Sequence, residues 1–196
     1  MAGFLGDQRK IELYKEFTGE VFDSLQKKFN LNNFLGTWKQ VFTSRSTALL
    51  GTGTALTNVQ ATYTLKENGL VNVFNSALKP DLKCDTISGE SGALNDQIPC
   101  CRYVQFDNRV QAKGDYWITY INDDFSVIVV VAPIIILGLQ LSNNFGFYAL
   151  TKDRDQFWNN KTEIDKLLAY LKSKGFDKFW NEPVPSGTSI TKDCSL

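Results

Sequence analysis

Between residues 36 and 151 the chain runs as short stretches of alternating apolar and polar residues, separated by residues that turn the backbone. No other feature limits the fold as strongly. The first stretch, 36–45, opens on Gly36-Thr37-Trp38. It puts Trp38, Gln40, Phe42 and Ser44 on one face of a strand and Thr37, Lys39, Val41 and Thr43 on the other. A loop over 46–58 follows, containing Ala48-Leu49-Leu50-Gly51-Thr52-Gly53. Further strands are predicted at 59–66, 70–77, 83–90, 100–106, 115–121, 125–132 and 145–151. Asn68-Gly69 suits a tight hairpin, because both residues tolerate positive φ, and Asn122-Asp123-Asp124 marks another turn. Eight short strands with local connections predict a mainly β fold, an eight-stranded up-and-down antiparallel barrel. Closure of such a barrel leaves no long free edge.

The flanks have a different period. Ile11, Tyr14, Phe17, Val21, Leu25 and Phe29 recur at helical spacing, which predicts a helix over 10–29 packed on the barrel. Its polar face mixes Lys and Glu, unlike the basic face of a membrane-surface helix. After the last strand, Asn160 or Thr162 can cap a helix whose stripe is Ile164, Leu167, Leu168 and Leu171. Lys172 and Lys174 fall in its last turn and Gly175 ends it. The chain of 196 residues therefore divides into an N-terminal helical extension, 1–32, and a barrel with C-terminal helix and tail, 33–196.

Composition narrows the chemistry. Lys and Arg number 21, as do Asp and Glu, so no net charge steers the chain toward nucleic acid. The absence of histidine removes the commonest general base and the usual zinc and dyad chemistries. The four cysteines, 84, 100, 101 and 194, form no Cys-x-x-Cys pair, so neither a metal nor another cofactor is expected. An even number with one close to the C-terminus suggests a disulfide holding the tail, and so an oxidising compartment. Asn160-Lys161-Thr162 is a sequon compatible with secretion. Residues 1–6 are too short and lack the basic start of a signal peptide. The expected localisation is secreted or extracytoplasmic, with a leader removed; an intracellular chain is the alternative.

Taken in order, several segments resemble the lipocalins of the apolipoprotein D and bacterial lipocalin branch. They are Phe34-Leu35-Gly36-Thr37-Trp38, Ala61-Thr62-Tyr63-Thr64-Leu65 with Asn68-Gly69, Val71-Asn72-Val73-Phe74-Asn75, Tyr116-Trp117-Ile118, Asn122-Asp123-Asp124 and Phe147-Tyr148-Ala149-Leu150. The resemblance implies an eight-stranded calyx that carries small apolar molecules. The family's third motif ends in an arginine that stacks on the first-strand tryptophan. Here that position falls on Lys152, with Arg154 two residues later on the same face as the alternative cation. The second motif, usually Thr-Asp-Tyr, reads Ile121-Asn122-Asp123.

On this layout Trp38 closes the bottom of the barrel, and Phe42, Tyr63, Asn75, Trp117, Tyr148 and Leu150 are candidate ligand contacts. Asn75 lies where related chains place a polar group. The apolar run from Val127 to Leu139 is too short to cross a membrane as a helix and is broken by Pro133 and Gly138. Its second half is expected in a loop over 134–141 at the open mouth. Ile134, Ile135, Ile136 and Leu137 would there join Leu49 and Leu50 in an exposed apolar rim, a contact for a membrane or lipid particle. The other readings are a lid or a lengthening of the two strands. The resemblance also implies a disulfide between Cys84 and Cys194, with Cys100 or Cys101 as the alternative partner of Cys194.

The implied function is binding and transport of a small hydrophobic ligand: a fatty acid, lysolipid, sterol, retinoid or tetrapyrrole pigment. The alternatives are a lipocalin-type enzyme using Cys100 or Cys101 in the cavity, and an assembly protein using the apolar rim. A homo-oligomer is left open. Against the enzyme, a thiol in an apolar barrel is inert without an activator.

Overall fold

The computed structural model describes residues 6–50, 56–107, 113–136, 139–186 and Cys194; for 49–50, 134–136 and 139–144 it describes the backbone alone. Eight strands form the barrel: β1 (Gly36–Ser44), β2 (Thr57–Leu65), β3 (Val71–Leu78), β4 (Cys84–Ala93), β5 (Cys101–Phe106), β6 (Gly114–Ile121), β7 (Val127–Ile136) and β8 (Leu139–Thr151). Each pairs antiparallel with its neighbour in sequence, and β1 closes the ring by pairing with both β2 and β8. A short β9 (Pro183–Pro185) pairs with the upper end of β1, beyond its pairing with β2.

Gly36 starts the barrel at φ +101°, where a side chain would be strained, and this explains the glycine two residues before Trp38. Asn122 organises the turn from β6 to β7: its Oδ1 accepts from the backbone N–H of Ser126 at 2.8 Å and of Val127 at 2.9 Å. The seventh strand therefore starts at Val127 rather than 125. Phe125 is held at φ +59°, rare for a bulky residue, with its ring against those of Trp38 and Phe29.

Two further expectations are corrected. Residues 134–136 and 139–141 are not a mouth loop but lengthen the two strands, the alternative reading, with Ile135 opposite Gln140 and Ile136 opposite Leu139. Pro133 does not end the strand because the register shifts between it and Ile135, and a bulge tolerates the missing N–H. The segment after β1 is not all loop, since α4 (Arg45–Leu50) follows the strand directly.

The N-terminal segment is not one helix over 10–29. It is α1 (Asp7–Thr18), a 3-10 turn (Gly19–Val21), α2 (Phe22–Lys28) and α3 (Leu31–Phe34). Gly19 at φ +60° ends α1, and Asn30 starts α3 by accepting from the N–H of Asn33 at 3.1 Å. C-terminal to the barrel come α5 (Arg154–Trp158) and α6 (Lys161–Ser173). The side chain of Asn160 caps α6 through the N–H of Glu163.

Alternation along the strands sorts the residues into two cores. Val127, Val129, Val131, Phe147 and Ala149 point outward and pack with Leu167 and Leu171 of α6. Next to α6, α1 covers the outside of β5 and β6. Lys10 pairs with Asp115 at 2.9 Å, the Tyr14 hydroxyl donates to the carbonyl of Ile118 at 2.8 Å, and the Tyr14 ring meets Trp117 edge-on. Lys174 joins the two helices by donating to the carbonyls of Phe17 and Thr18 at the end of α1. The inward face is the candidate site.

Candidate functional site: the barrel interior

The floor is built by the chain that leads into β1. Phe34 of α3 is fully buried and stacks on Tyr63, with ring centroids 4.5 Å apart. Trp38 is also fully buried, and its indole N–H donates to the carbonyl of Phe34 at 2.8 Å. Lys152 places its ammonium 5.2 Å from the Trp38 ring and 5.9 Å from that of Phe125. Of the two candidate cations, Lys152 therefore covers the tryptophan. Arg154 is directed elsewhere, with Nη1 donating to Asn58 Oδ1 at 3.4 Å.

Strand register fixes the wall. Trp38 lies opposite Ala61, Ala61 opposite Asn75, and Asn75 opposite Ile87. Across the barrel, Arg102 lies opposite Tyr116, Ile118 opposite Val130, and Val130 opposite Tyr148. All of these, with Leu150, point toward the barrel axis. Deep in the interior Tyr63, Ile118, Ile128 and Val130 are buried, whereas Asn75, Val104, Phe106, Tyr116 and Tyr148 keep accessible surface. These inward residues keep accessible surface above a floor in which Phe34 and Trp38 are fully buried. Asn75 Oδ1 is buried there with no hydrogen-bond partner among the described residues.

The polar groups cluster near the floor. Arg102 is 4% exposed; its Nε donates to Ser91 Oγ at 3.1 Å, Nη1 to the Pro99 carbonyl at 3.3 Å and Nη2 to the Ser91 carbonyl at 3.4 Å. Its guanidinium also lies over the Phe34 ring. Burial lowers its affinity for a proton, which neighbouring tyrosine and cysteine side chains partly restore. The hydroxyls of Tyr63 and Tyr116 bond to each other. Burial pushes Tyr63 up to about 12, and Tyr116 well above its ordinary value, so both are neutral donors at pH 7.

The structure brings Trp38, Tyr63, Asn75, Tyr148 and Leu150 to the interior and takes Phe42 and Trp117 out of it. A bulge between Gln40 and Phe42 reverses the alternation of β1, so Phe42 packs outside on Phe157 and Trp158. Trp117 lies opposite Cys101 and Val131 on the outer face, under α1. Its neighbour Tyr116 points inward instead. Sequence reasoning missed Tyr116, Phe34 and Arg102; the lone charge in the otherwise uncharged stretch from Ile98 to Phe106 was the available signal.

Cys84 and Cys194 form the disulfide. Cys101 faces outward opposite Trp117, and the Cys100 thiol points at the carbonyl of Leu25 in α2. Burial pushes each thiol up to about 12. Of the rim residues, Leu49 and Leu50 end α4 and Ile134, Ile135 and Ile136 end β7; their side chains, and Leu137 entirely, lie outside the described residues.

Residues 29–135 match the family model described as a lipocalin-like domain. Apolipoprotein D of Cavia porcellus is 33% identical over 94 residues, 48% of this chain and 47% of that protein. Apolipoprotein D of Bos taurus is also 33% identical over 94 residues. The chain thus spans about half the length of the curated relatives it matches. Lobster apocrustacyanin A1 shares the fold at 13% identity, with a TM-score of 0.59 over 88% of this chain and 86% of that one. The siderocalin Ex-FABP does so at 13% identity, with a TM-score of 0.56 over 81% and 97%. A closed eight-stranded barrel opening on Gly36-x-Trp38, with a cation over that tryptophan and a helix against its outer wall, agrees with the family model over more than half the sequence, and the chain belongs to the lipocalin family.

Proposed function

We propose that this chain binds and carries a small apolar molecule in its barrel: a fatty acid, lysolipid, sterol, retinoid or tetrapyrrole pigment. One observation carries the reading. Asn75, Val104, Tyr116 and Tyr148 point inward and stay accessible, above a floor where Trp38 and Phe34 are fully buried. A barrel filled by its own side chains, at the usual density of protein interiors, would bury both sets. An apolar wall with a few polar groups is what an apolar ligand needs, and Asn75 Oδ1 is a polar group without a partner among the described residues. Membership of the lipocalins supports small-molecule binding generally.

Catalysis through a cavity cysteine finds no support, since Cys100 and Cys101 both lie outside the cavity and burial keeps both protonated. The Cys84–Cys194 disulfide supports an extracytoplasmic location. Among the described residues no helix is long and apolar enough to cross a membrane.

Contact with a lipid surface at the mouth is a second reading. Leu82 is 71% exposed, Phe179 65% and Trp180 62%, and all three lie toward the mouth, on the β3–β4 connection and beside α4. Native mass spectrometry and organic extraction of protein from its natural source test the carriage. A one-to-one apolar adduct, released by solvent, is expected. A chain that is bare from its source and takes up no apolar probe overturns the reading.

A further inference from the structure

The polar cluster at the floor contains a charge without an opposite charge. Arg102 is buried, and no carboxylate among the described residues lies within ion-pair distance of it. The ionisable groups that act on it are tyrosine and cysteine side chains, and burial holds Tyr116, Cys100 and Tyr63 in their neutral forms. A guanidinium has five N–H donors, and Arg102 uses three of them, on Ser91 and Pro99. A second donor is spare nearby. The Tyr63–Tyr116 pair has two hydroxyl hydrogens and uses one between them, and no other acceptor for either is found among the described residues. Tyr116 lies directly opposite Arg102 in the β5–β6 ladder and keeps surface accessible to the cavity.

A buried cation beside spare donors, with nothing negative among the described residues to receive them, is an incomplete set. The missing part is a negatively charged acceptor small enough to sit at the bottom of an apolar cavity. From this juxtaposition we propose that the floor is an anion site, and that the ligand is an apolar chain bearing one carboxylate, bound head-down against Tyr116 with Arg102 behind as its countercharge. This rests on the carriage reading above and specifies its ligand class. Of the classes named there it selects the fatty acids and their carboxylate analogues over sterols and retinols. Tyr116 makes the contact from the accessible side. Arg102, covered by Phe34 from below, supplies the field in a setting where little water screens it.

The test compares one apolar chain with two headgroups. Binding of oleate and of oleyl alcohol is measured by calorimetry at pH 7.5 on the wild-type protein, on Tyr116→Phe and on Arg102→Gln. The wild type is expected to bind oleate at least about tenfold more tightly than the alcohol, as a charge-assisted contact should. Tyr116→Phe should narrow the gap and Arg102→Gln should close it, each read as the ratio of the two affinities within the same variant. Should Arg102→Gln fail to fold, the wild-type ratio and Tyr116→Phe decide the matter alone. Equal affinity for the two probes in the wild type overturns the anion site and leaves apolar carriage standing. If neither probe binds, nor any neutral apolar probe, the carriage reading itself has failed and the anion site falls with it.

Discussion

Removing Trp38 tests how the floor is held. The side chain is fully buried, with its ring beside Phe125, its N–H on the Phe34 carbonyl and Lys152 over its face. Trp38→Ala leaves a cavity in a packed floor, and such aromatic truncations cost about 3–5 kcal/mol. Leaving the Phe34 carbonyl without its donor adds about 1 kcal/mol. The sum is a large share of the roughly 5–15 kcal/mol that stabilises a domain, so the variant should be marginal at 25 °C. Trp38→Phe keeps most of the apolar contact and should lose only about 1–2 kcal/mol, mainly the hydrogen bond. Lys152→Ala should cost about 0.5–1 kcal/mol, the range of an exposed cation over an aromatic face. Urea unfolding followed by circular dichroism measures all three, and a double-mutant cycle isolates the Trp38–Lys152 coupling. A loss below about 1 kcal/mol for Trp38→Ala would show that the tryptophan is peripheral and that the floor is held by something else.

The remaining predictions concern the backbone, the tail and the free thiols. Gly36→Ala should destabilise by about 1 kcal/mol or more, because φ +101° strains any side chain; an unchanged urea midpoint would contradict that. Cys84→Ser should cost about 4–5 kcal/mol in the chain-entropy model, since the disulfide closes a loop over a sequence separation of 110, and non-reducing thermal melts beside the wild type would read it. Cys100 and Cys101 should resist a thiol reagent in the folded protein at pH 8 and react only on unfolding. Their folded values, about 12, lie above the roughly 8.5 of an unfolded thiol. The folded state therefore holds more protons in that window, and stability should fall from about pH 8.5 upward toward 12. Replacing both cysteines by alanine should flatten that fall; an unchanged slope would assign it to tyrosines such as Tyr63 and Tyr120, also raised to about 12 by burial.

Strand alternation and turn chemistry made the barrel legible. Asn68-Gly69 and Asn122-Asp123-Asp124 turn where their side chains and φ tolerance direct, and the eight runs are the eight strands. What remained illegible depends on tertiary context. The bulge between Gln40 and Phe42 reverses a face, and nothing local in Lys39-Gln40-Val41-Phe42 announces it. Trp117 looked like the inward aromatic because of its size. In fact the helix over β5 and β6 takes Trp117, and Tyr116 is left to the cavity. The hairpin formed by β7 and β8 runs through Pro133 because a register shift accommodates it. Arg102 and Tyr116 face each other in the β5–β6 hairpin, but Tyr63 comes from the distant strand β2, and only closure of the barrel brings it to them.

Carriage requires that a ligand occupy the inside of the barrel. Backbone amide chemical shifts followed during titration with oleate test it most directly. Saturable shifts are expected at Asn75, Val104, Tyr116 and Tyr148, with Trp117 and Phe42, on the outer wall, moving little. Shifts confined to the outer groove between Phe17, Phe145 and Phe176, with the inward residues silent, would contradict it.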